Sequence, residues 1–365
     1  MTMMRSATWL AGCALLCCAA SGADAAPVDG AQIFRSACAA CHGADGRGRT
    51  AAELGFDNAL PDFTDCDFSS REQNGDWSAI VNRGGPVRAF SRRMPAFGEA
   101  LTSEQIEAVV DHLRTFCTDS RWPRGELNIP RALYTEKAFP EDEAVITTTI
   151  AAEGPSSITH QFTWEQRFGP LNQIEIGVPI ARANLGDPLG HASGTGDLAI
   201  AVKHTLTHDL GRGSILSVGG ELSLPTGDEA KGFGTGTTVL EPFVLYDKLL
   251  PRDSFVQLQG TAEFPADSAL EDEVGLRVAV GRTWTTGGSF GRAWTPMLEV
   301  LAAREHGADT EWDLVPQVQI TLSTRQHVVL GVGAKLPATE RGERPKEIAF
   351  YLVWDWFDGG VREGW

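Results

Sequence analysis

The C-terminal two thirds of the chain consist of long runs in which apolar and polar residues alternate. One such run ends at Trp356. Its residues Ile348, Phe350 and Leu352 would face one side of a strand, and the residues between them would face the other side. About twelve such runs follow one another from residue 143 to residue 365, and each lasts roughly ten residues or more. Strands of soluble proteins are usually shorter, about five or six residues.

The connections between these runs alternate between short and long. Short ones lie near 169–170, 209–211, 251, 287–288 and 323–324, and longer ones near 184–195, 225–235, 265–270 and 338–344. Long strands with short turns at one end and long loops at the other predict an antiparallel transmembrane β-barrel of about 12 strands. A soluble β-sandwich would also explain the alternation, but not the strand length or the loop asymmetry.

Two further features bear on the choice between barrel and sandwich. Tryptophans near the ends of the runs fit the aromatic girdles of a membrane barrel. Pro179, Pro242 and Pro316 fall inside runs, where each removes a donor from the strand ladder and so counts against a regular barrel. The length of the runs and the alternation of short and long connections favour the barrel over the sandwich.

The first residues have the features of an export signal. Arg5 precedes an uncharged apolar stretch over residues 7–20, and small residues at 23–25 offer a cleavage site. This predicts a signal peptide over residues 1–26; the sequence around Cys13 leaves lipoprotein processing as an alternative. We therefore expect a Gram-negative exported protein of the cell outer membrane, in a compartment where disulfides form.

Cys38, Cys41 and His42 form a C-x-x-C-H motif in a chain with only seven cysteines. This is the signature of covalent c-type haem attachment, in which two thiols hold the porphyrin and the histidine ligates the iron. Zinc would require a second ligand pair at metal-finger spacing, and a redox dithiol would require a βαβ context. Neither is evident, but the five residues alone leave all three sites open.

Met94 strengthens the haem interpretation, because His and Met commonly hold the iron of electron-transfer cytochromes. It precedes Pro95, which suits a rigid loop that presents a thioether. His112 is the alternative sixth ligand. If Cys38 and Cys41 hold the cofactor, the remaining pair Cys66 and Cys117 is expected to form a disulfide.

Two helices should frame these residues. Asp29 is a cap for a helix that leads into Cys38, and Thr102 with Gln105 forms a capping box for a second helix. Gly30 would allow the two helices to cross closely, with Phe34 packed against Leu113 or Phe116.

With its glycine-rich segment after the motif and its Met-Pro loop, the region over residues 27–118 resembles a class I cytochrome c, a small all-α domain. The resemblance implies one covalent haem c, with Cys38 and Cys41 as thioether cysteines, His42 as proximal and Met94 as distal iron ligand. Leu60 and Pro61 would supply a carbonyl that orients the histidine. Trp77, Arg88 and Arg92 could line the haem edge.

Residues 119–142 contain three prolines and predict an extended linker that lies against one of the two domains.

The barrel over residues 143–365 resembles outer-membrane transporters encoded with operons for the degradation of aromatic compounds. The loop LSLPTGDEAKGFGTG carries this resemblance. The whole chain thus resembles a porin–cytochrome fusion. Twelve strands are too few to admit a folded cytochrome, so we expect that domain in the periplasm. We expect the pair Glu141 and Glu143 to lie on a solvated face.

The resulting functional expectation is one-electron transfer by a haem that the barrel holds at the periplasmic face of the outer membrane. Its partners would be outer-membrane lipid and periplasmic redox proteins. The 48 acidic residues against 31 basic ones argue against nucleic acid. The alternatives are a transporter for a small solute with an accessory cytochrome, and an oxidase of a small donor such as Fe(II). An electron-transfer role fits better than that of a substrate-converting enzyme.

Overall fold

The computed structural model describes residues 28–56, 60–153, 155–186 and 190–365. They form a small helical domain, an extended segment and a β-barrel. The predicted signal peptide lies outside the described residues. No helix in the described ranges is long and apolar enough to cross a membrane.

The helical domain spans residues 30–114. Its first helix has three parts, α1 (Gly30–Ile33), a π-helical turn (Phe34–Cys38) and α2 (Ala39–His42). The further helices are α3 (Ala51–Leu54), α4 (Cys66–Arg71), α5 (Asn74–Arg83), a 3-10 turn (Gly85–Arg88) and α6 (Ser103–Arg114). The predicted caps are confirmed, because Asp29 accepts from the amide of Gln32, and Thr102 forms its capping box with Gln105.

The predicted close crossing of the first and last helices is also confirmed. A Cβ atom added at Gly30 would lie 1.9 Å from the carbonyl oxygen of Ala108, so only glycine fits there. Phe34 is fully buried and its ring lies 5.3 Å from that of Phe116. The expected disulfide between Cys66 and Cys117 is present and ties α4 to the chain just after α6.

The described residues of the barrel form fourteen strand segments. Their bounds are β1 (Glu143–Ala151), β2 (Ser157–Phe168), β3 (Asn172–Asn184), β4 (His191–Thr195), β5 (Leu198–Asp209), β6 (Ser214–Leu224), β7 (Val239–Leu250), β8 (Ser254–Pro265), β9 (Glu273–Arg282), β10 (Trp284–Thr285), β11 (Ala293–Glu305), β12 (Glu311–Thr321), β13 (Val328–Pro337) and β14 (Glu347–Asp355). A short helix, α7 (Thr286–Ser289), precedes β11.

These segments make a closed antiparallel barrel of twelve strands, as predicted. β1 pairs with β14, β9 pairs with β11, and the other neighbours follow chain order. β4 and β10 are continuations, since β4 pairs with the far half of β3 and β10 pairs only with β11. The prolines at 179, 242 and 316 are accommodated within β3, β7 and β12.

The two faces of the barrel wall have opposite character. Large apolar side chains on the outer face are exposed, among them Phe162, Val274 and Leu352. Polar side chains point inward and are buried, among them Gln173, Gln257 and Glu299. This arrangement is that of a barrel with a hydrocarbon environment outside and a polar lumen inside.

The lumen is filled by the segment that precedes β1. Residues 127–141, called here the plug, run inside the barrel rather than along its outside. Leu127 and Phe139 are at most 1% exposed and pack against inward side chains such as Ile215 and Leu245. The linker contacts both domains rather than one. The plug packs inside the barrel, whereas Glu126 accepts from the amide of Asn74 in α5 at 3.1 Å and Arg124 donates to the Asn74 side chain at 2.9 Å.

The helical domain sits outside the barrel, at the mouth formed by the short turns. Arg83 donates to the carbonyl of Gly287 at 2.9 Å, and Arg88 donates to that of Phe290 at 2.6 Å. β1 begins and β14 ends at this same mouth, because Glu143 pairs with Asp355.

Candidate functional site

The two motif cysteines lie at the end of the first helix. Cys38 closes the π-helical turn and Cys41 lies in α2. Both are half-buried and carry free thiols, while the other two cysteines of the described residues form the disulfide. Burial, and secondarily the neighbouring Cys41, raises the pKa of Cys38. Single π-turns within α-helices often occur at functional sites.

His42 follows directly and ends α2. Burial lowers the pKa of its imidazole, so the ring is neutral at pH 7, which is the form that ligates metals. Its Nδ1 atom is buried without a hydrogen-bond partner among the described residues. The ring lies 5.2 Å from that of Phe63, and the backbone carbonyl accepts from Gly48 at 2.9 Å.

Met94 and Cys38 are brought to one apolar core although 56 positions separate them in the sequence. Both pack against a cluster that includes Phe34, Phe63 and Trp77. Because His42 contacts Phe63, the structure places the motif and the methionine around the same group of side chains.

The alternative ligand His112 occupies a different setting. It lies on α6, with ring centroids 5.3 Å from Phe34 and 5.1 Å from Phe116. Burial, and next the charge of Arg35, lowers its pKa. The histidine-orienting carbonyl suggested at Leu60 or Pro61 is not observed as a partner of Nδ1 within the described ranges.

Two of the residues suggested to line the haem edge have other partners. Arg88 is 4% exposed, and its Nε and Nη2 atoms lie 2.9 and 2.8 Å from Asp76. Trp77 is buried beneath the guanidinium of Arg114, at 3.6 Å from the ring centroid. Burial lowers the pKa of Arg114 to about 10.

The donor set of the helical domain fits a covalently attached haem. The domain offers two free thiols, a neutral imidazole with an unpartnered buried nitrogen and a thioether from a separate loop, and Cys38 and Met94 pack against the same apolar core. A thiolate zinc site would need further ligands beside the motif, and the other two cysteines of the described residues are committed to the disulfide.

The barrel lumen contains a second group of buried polar residues, which sequence reasoning missed. The pair expected to be solvated is buried instead: Glu141 is 2% and Glu143 1% exposed. The ammonium of Lys137 lies 2.6 Å from Glu141 and 3.4 Å from Glu143. Arg131 lies 2.5 Å from Glu143, so each carboxylate of this pair has a cationic partner within the lumen.

The backbone of the plug is bonded to side chains of many strands. Glu299 of β11 accepts from the amides of Leu133 at 2.9 Å and Thr135 at 2.7 Å. On the other side, Asp247 of β7 accepts from the amide of Ala138 at 2.7 Å. Since an extended segment cannot bond to itself, the inward polar residues of the wall replace the water that its amides lose. The alternation of apolar and polar residues in the strands could not show that the lumen holds a plug, because the strands of a water-filled pore alternate in the same way.

Beyond the plug, towards the long loops, the barrel has a cavity of ≈ 540 Å³. Its wall includes the carboxylates of Glu221, Glu241 and Glu263 and the ring of Phe233. Asp197 holds the loop over it, accepting from the amides of Gly227 at 2.9 Å and Thr235 at 2.7 Å.

Comparisons with known proteins divide the chain in the same way. Residues 25–113 match the family model for cytochrome c oxidase, cbb3-type, subunit III. The chloroplastic cytochrome c6 of Chlamydomonas reinhardtii is 31% identical over 121 residues, which are 33% of this chain and 74% of that protein.

Among solved structures, an outer-membrane channel of Pseudomonas putida F1 is similar at 15% identity and a TM-score of 0.44, covering 62% of this chain and 99% of that one. The NanC porin is similar at 7% identity and a TM-score of 0.42, covering 58% of this chain and 98% of that one.

Proposed function

Since the N-terminal part of the chain belongs to the c-type cytochrome family, we propose that the protein transfers single electrons through one covalent haem c that a β-barrel fixes at the periplasmic face of the outer membrane. The observation that carries this proposal is the convergence of Cys38, His42 and Met94 on one apolar core, in a domain bonded to the barrel mouth.

Each residue of the donor set has a distinct role in this proposal. Cys38 and Cys41 would hold the porphyrin by thioether bonds, and His42 and Met94 would ligate the iron. The haem, when bound, supplies a one-electron iron couple, and the protein sets its potential through ligands and burial. The buried rings of Phe63 and Trp77 exclude water from the neighbouring core.

The membrane placement rests on the wall of the barrel. Apolar side chains cover its outside and polar side chains its inside, as in barrels that cross the outer membrane. In such barrels the short turns and both chain ends lie on the periplasmic side. The helical domain lies at that mouth, and its disulfide suits an oxidising compartment.

The plug supports an anchoring role for the barrel rather than an open channel. The apolar band of such barrels is roughly 25 Å tall, so one haem below it exchanges electrons with periplasmic proteins rather than with acceptors outside the cell. If Met94 occupies the sixth position, electrons pass without a substrate binding the iron. The protein is then an electron carrier, not a substrate-converting enzyme.

A second function is favoured by one observation, the cavity of ≈ 540 Å³ at the long-loop end. It suits a transporter that takes a small solute and whose cytochrome serves a periplasmic partner. Proteoliposomes that contain the full chain separate the two functions. If the barrel serves only as an anchor, the flux of small sugars, amino acids and aromatic acids should not exceed that into empty liposomes. Flux of any of these solutes above that level would favour the transporter.

The ligand assignment is tested by Met94→Ala, with His112→Ala as the matched alternative. We expect Met94→Ala to change the absorption spectrum and lower the reduction potential, because a Met ligand raises it. His112→Ala should leave both unchanged. An unaltered spectrum and potential in Met94→Ala would remove Met94 from the iron.

A further inference from the structure

The backbone around Met94 is joined to the 3-10 turn that follows α5. The amide of Gly85 donates to the carbonyl of Met94 at 3.1 Å, and the amide of Phe90 donates to the carbonyl of Gly85 at 2.9 Å. A Cβ atom added at Gly84 would lie 2.8 Å from the Met94 carbonyl oxygen. Residues 84–94, called here the methionine loop, therefore form one closely packed unit.

Two turns of the barrel contact the methionine loop. Arg325, between β12 and β13, donates to the carbonyl of Ala89 at 3.2 Å, and its guanidinium lies 4.5 Å from the ring centroid of Phe90. The turn before β11 accepts from Arg88 through the carbonyl of Phe290 at 2.6 Å.

Next to the loop, Arg83 at the end of α5 bonds to the same turn. Its Nη2 donates to the carbonyl of Gly287 at 2.9 Å, and its guanidinium lies 5.1 Å from the ring centroid of Phe290. The loop is thus enclosed between two turns of the barrel on one side and the core of the helical domain on the other.

One residue of the loop needs such support. Ala89 has a φ of 56°, in the left-handed region that non-glycine residues rarely adopt. A conformation of this kind persists only where its surroundings hold it. The carbonyl that Arg325 binds belongs to this residue, so the barrel stabilises the strained point of the loop directly.

We propose that the barrel mouth positions the Met94 ligand, with Arg325 and Arg83 as positioning residues. The inference rests on the proposed assignment of Met94 as the sixth ligand. The barrel is then part of the haem site: it holds the loop in the conformation that presents the thioether, and the potential of the haem depends on docking. A cytochrome domain loosened from the barrel would hold its methionine less firmly and have a lower potential.

The test uses the full chain, purified in detergent with its haem, and the variants Arg325→Ala and Arg83→Ala. Arg212→Ala is the matched control, because Arg212 lies in an exposed turn at the same mouth and its side chain pairs only with Asp209 among the described partners. Arg325→Lys keeps the charge and should restore part of the wild-type behaviour.

Two readouts are needed. Hydrogen exchange at the amides of Gly85 and Phe90 reports the loop without reference to the haem, and it should become faster by on the order of tenfold in both alanine variants. The equilibrium reduction potential should fall in both variants, and the absorption band of methionine-ligated ferric haem should weaken. A loss of stability alone, with the native state intact, would not move the potential.

The outcomes separate this inference from the proposed function. If exchange and potential in Arg325→Ala and Arg83→Ala equal those of Arg212→Ala, the positioning role is refuted, whatever Met94→Ala shows. If exchange rises but the potential stays, the barrel holds the loop without tuning the haem, which also refutes the inference. If Met94→Ala leaves the spectrum unchanged, the ligand assignment itself fails.

Discussion

The substitution Glu299→Gln tests whether the plug seals the barrel. Glu299 is fully buried and accepts from the plug through Leu133 at 2.9 Å, Tyr134 at 3.2 Å, Thr135 N at 2.7 Å and Thr135 Oγ1 at 2.6 Å. Gln317 of the wall is a further donor to it. One carboxylate thus satisfies a whole stretch of plug backbone.

The cost of this substitution follows from the bonds it weakens. Glutamine is neutral and one of its two terminal atoms becomes a donor, so at least one pair of plug donors loses its acceptor. Hydrogen bonds to charged groups contribute about 1.5–3 kcal/mol, and a buried donor left unsatisfied costs about 1–3 kcal/mol. We expect a loss of about 3–4 kcal/mol in the local stability of the plug, which corresponds to local opening about 10²–10³-fold more frequent.

The assay combines hydrogen exchange of the peptide over residues 133–138 with conductance in planar lipid bilayers. Exchange should accelerate by about 10²–10³-fold, and brief conducting events should appear that the wild type lacks. Glu305→Gln is the matched control, since Glu305 ends the same strand in an exposed position. If Glu299→Gln behaves like Glu305→Gln in both measurements, the plug does not depend on this carboxylate and the reasoning is refuted.

Three further predictions concern the helical domain and its junction with the barrel. Gly30→Ala should lower the thermal midpoint of the helical domain, because the added Cβ would lie 1.9 Å from a backbone oxygen of α6 and reduce the free energy of unfolding by about 1–3 kcal/mol or more. Gly75→Ala is the control, since a Cβ there would have no neighbouring atom within 4 Å. Equal midpoints for the two variants would contradict the close crossing. Replacing both Cys66 and Cys117 by Ser should cost about 3–4 kcal/mol, measured by denaturant titration, and an unchanged midpoint would remove the role of the disulfide. Burial raises the pKa of Asp358 to about 7 from 3.8, so the docked form holds a proton that the undocked form releases, and docking should weaken as the pH rises from 4 to 7. Hydrogen exchange of the methionine loop, corrected for the intrinsic exchange rate at each pH, should become faster over this range. The variant Asp358→Asn should remove this pH dependence.

The features that local patterns determine could be predicted from the sequence. The twelve strands follow from alternation and strand length, because a polar lumen and a lipid exterior impose a period of two on every strand. The caps at Asp29 and Thr102 and the crossing at Gly30 follow from short-range rules. The pairing of Cys66 with Cys117 followed once the motif cysteines were set aside.

Features that depend on partners far apart in the chain could not be predicted. Glu141 and Glu143 were expected to be solvated because nothing nearby in the sequence shows that they enter the lumen. The amide of Thr135 meets Glu299, 164 positions away, and Arg88 meets Phe290, 202 positions away. Only the folded barrel brings such pairs together. The domain boundaries and the iron ligands remain predictions.

Haem staining of separated membrane fractions tests the central claim most directly. Inner membranes, outer membranes and soluble periplasm are prepared from cells that express the full chain with the haem-attachment machinery, and each fraction is run on a denaturing gel. We predict covalent haem on the full-length chain in the outer-membrane fraction, and its loss when Cys38 and Cys41 are both replaced by Ala. A chain without covalent haem, or haem-bearing chain in the soluble periplasm alone, would contradict the account.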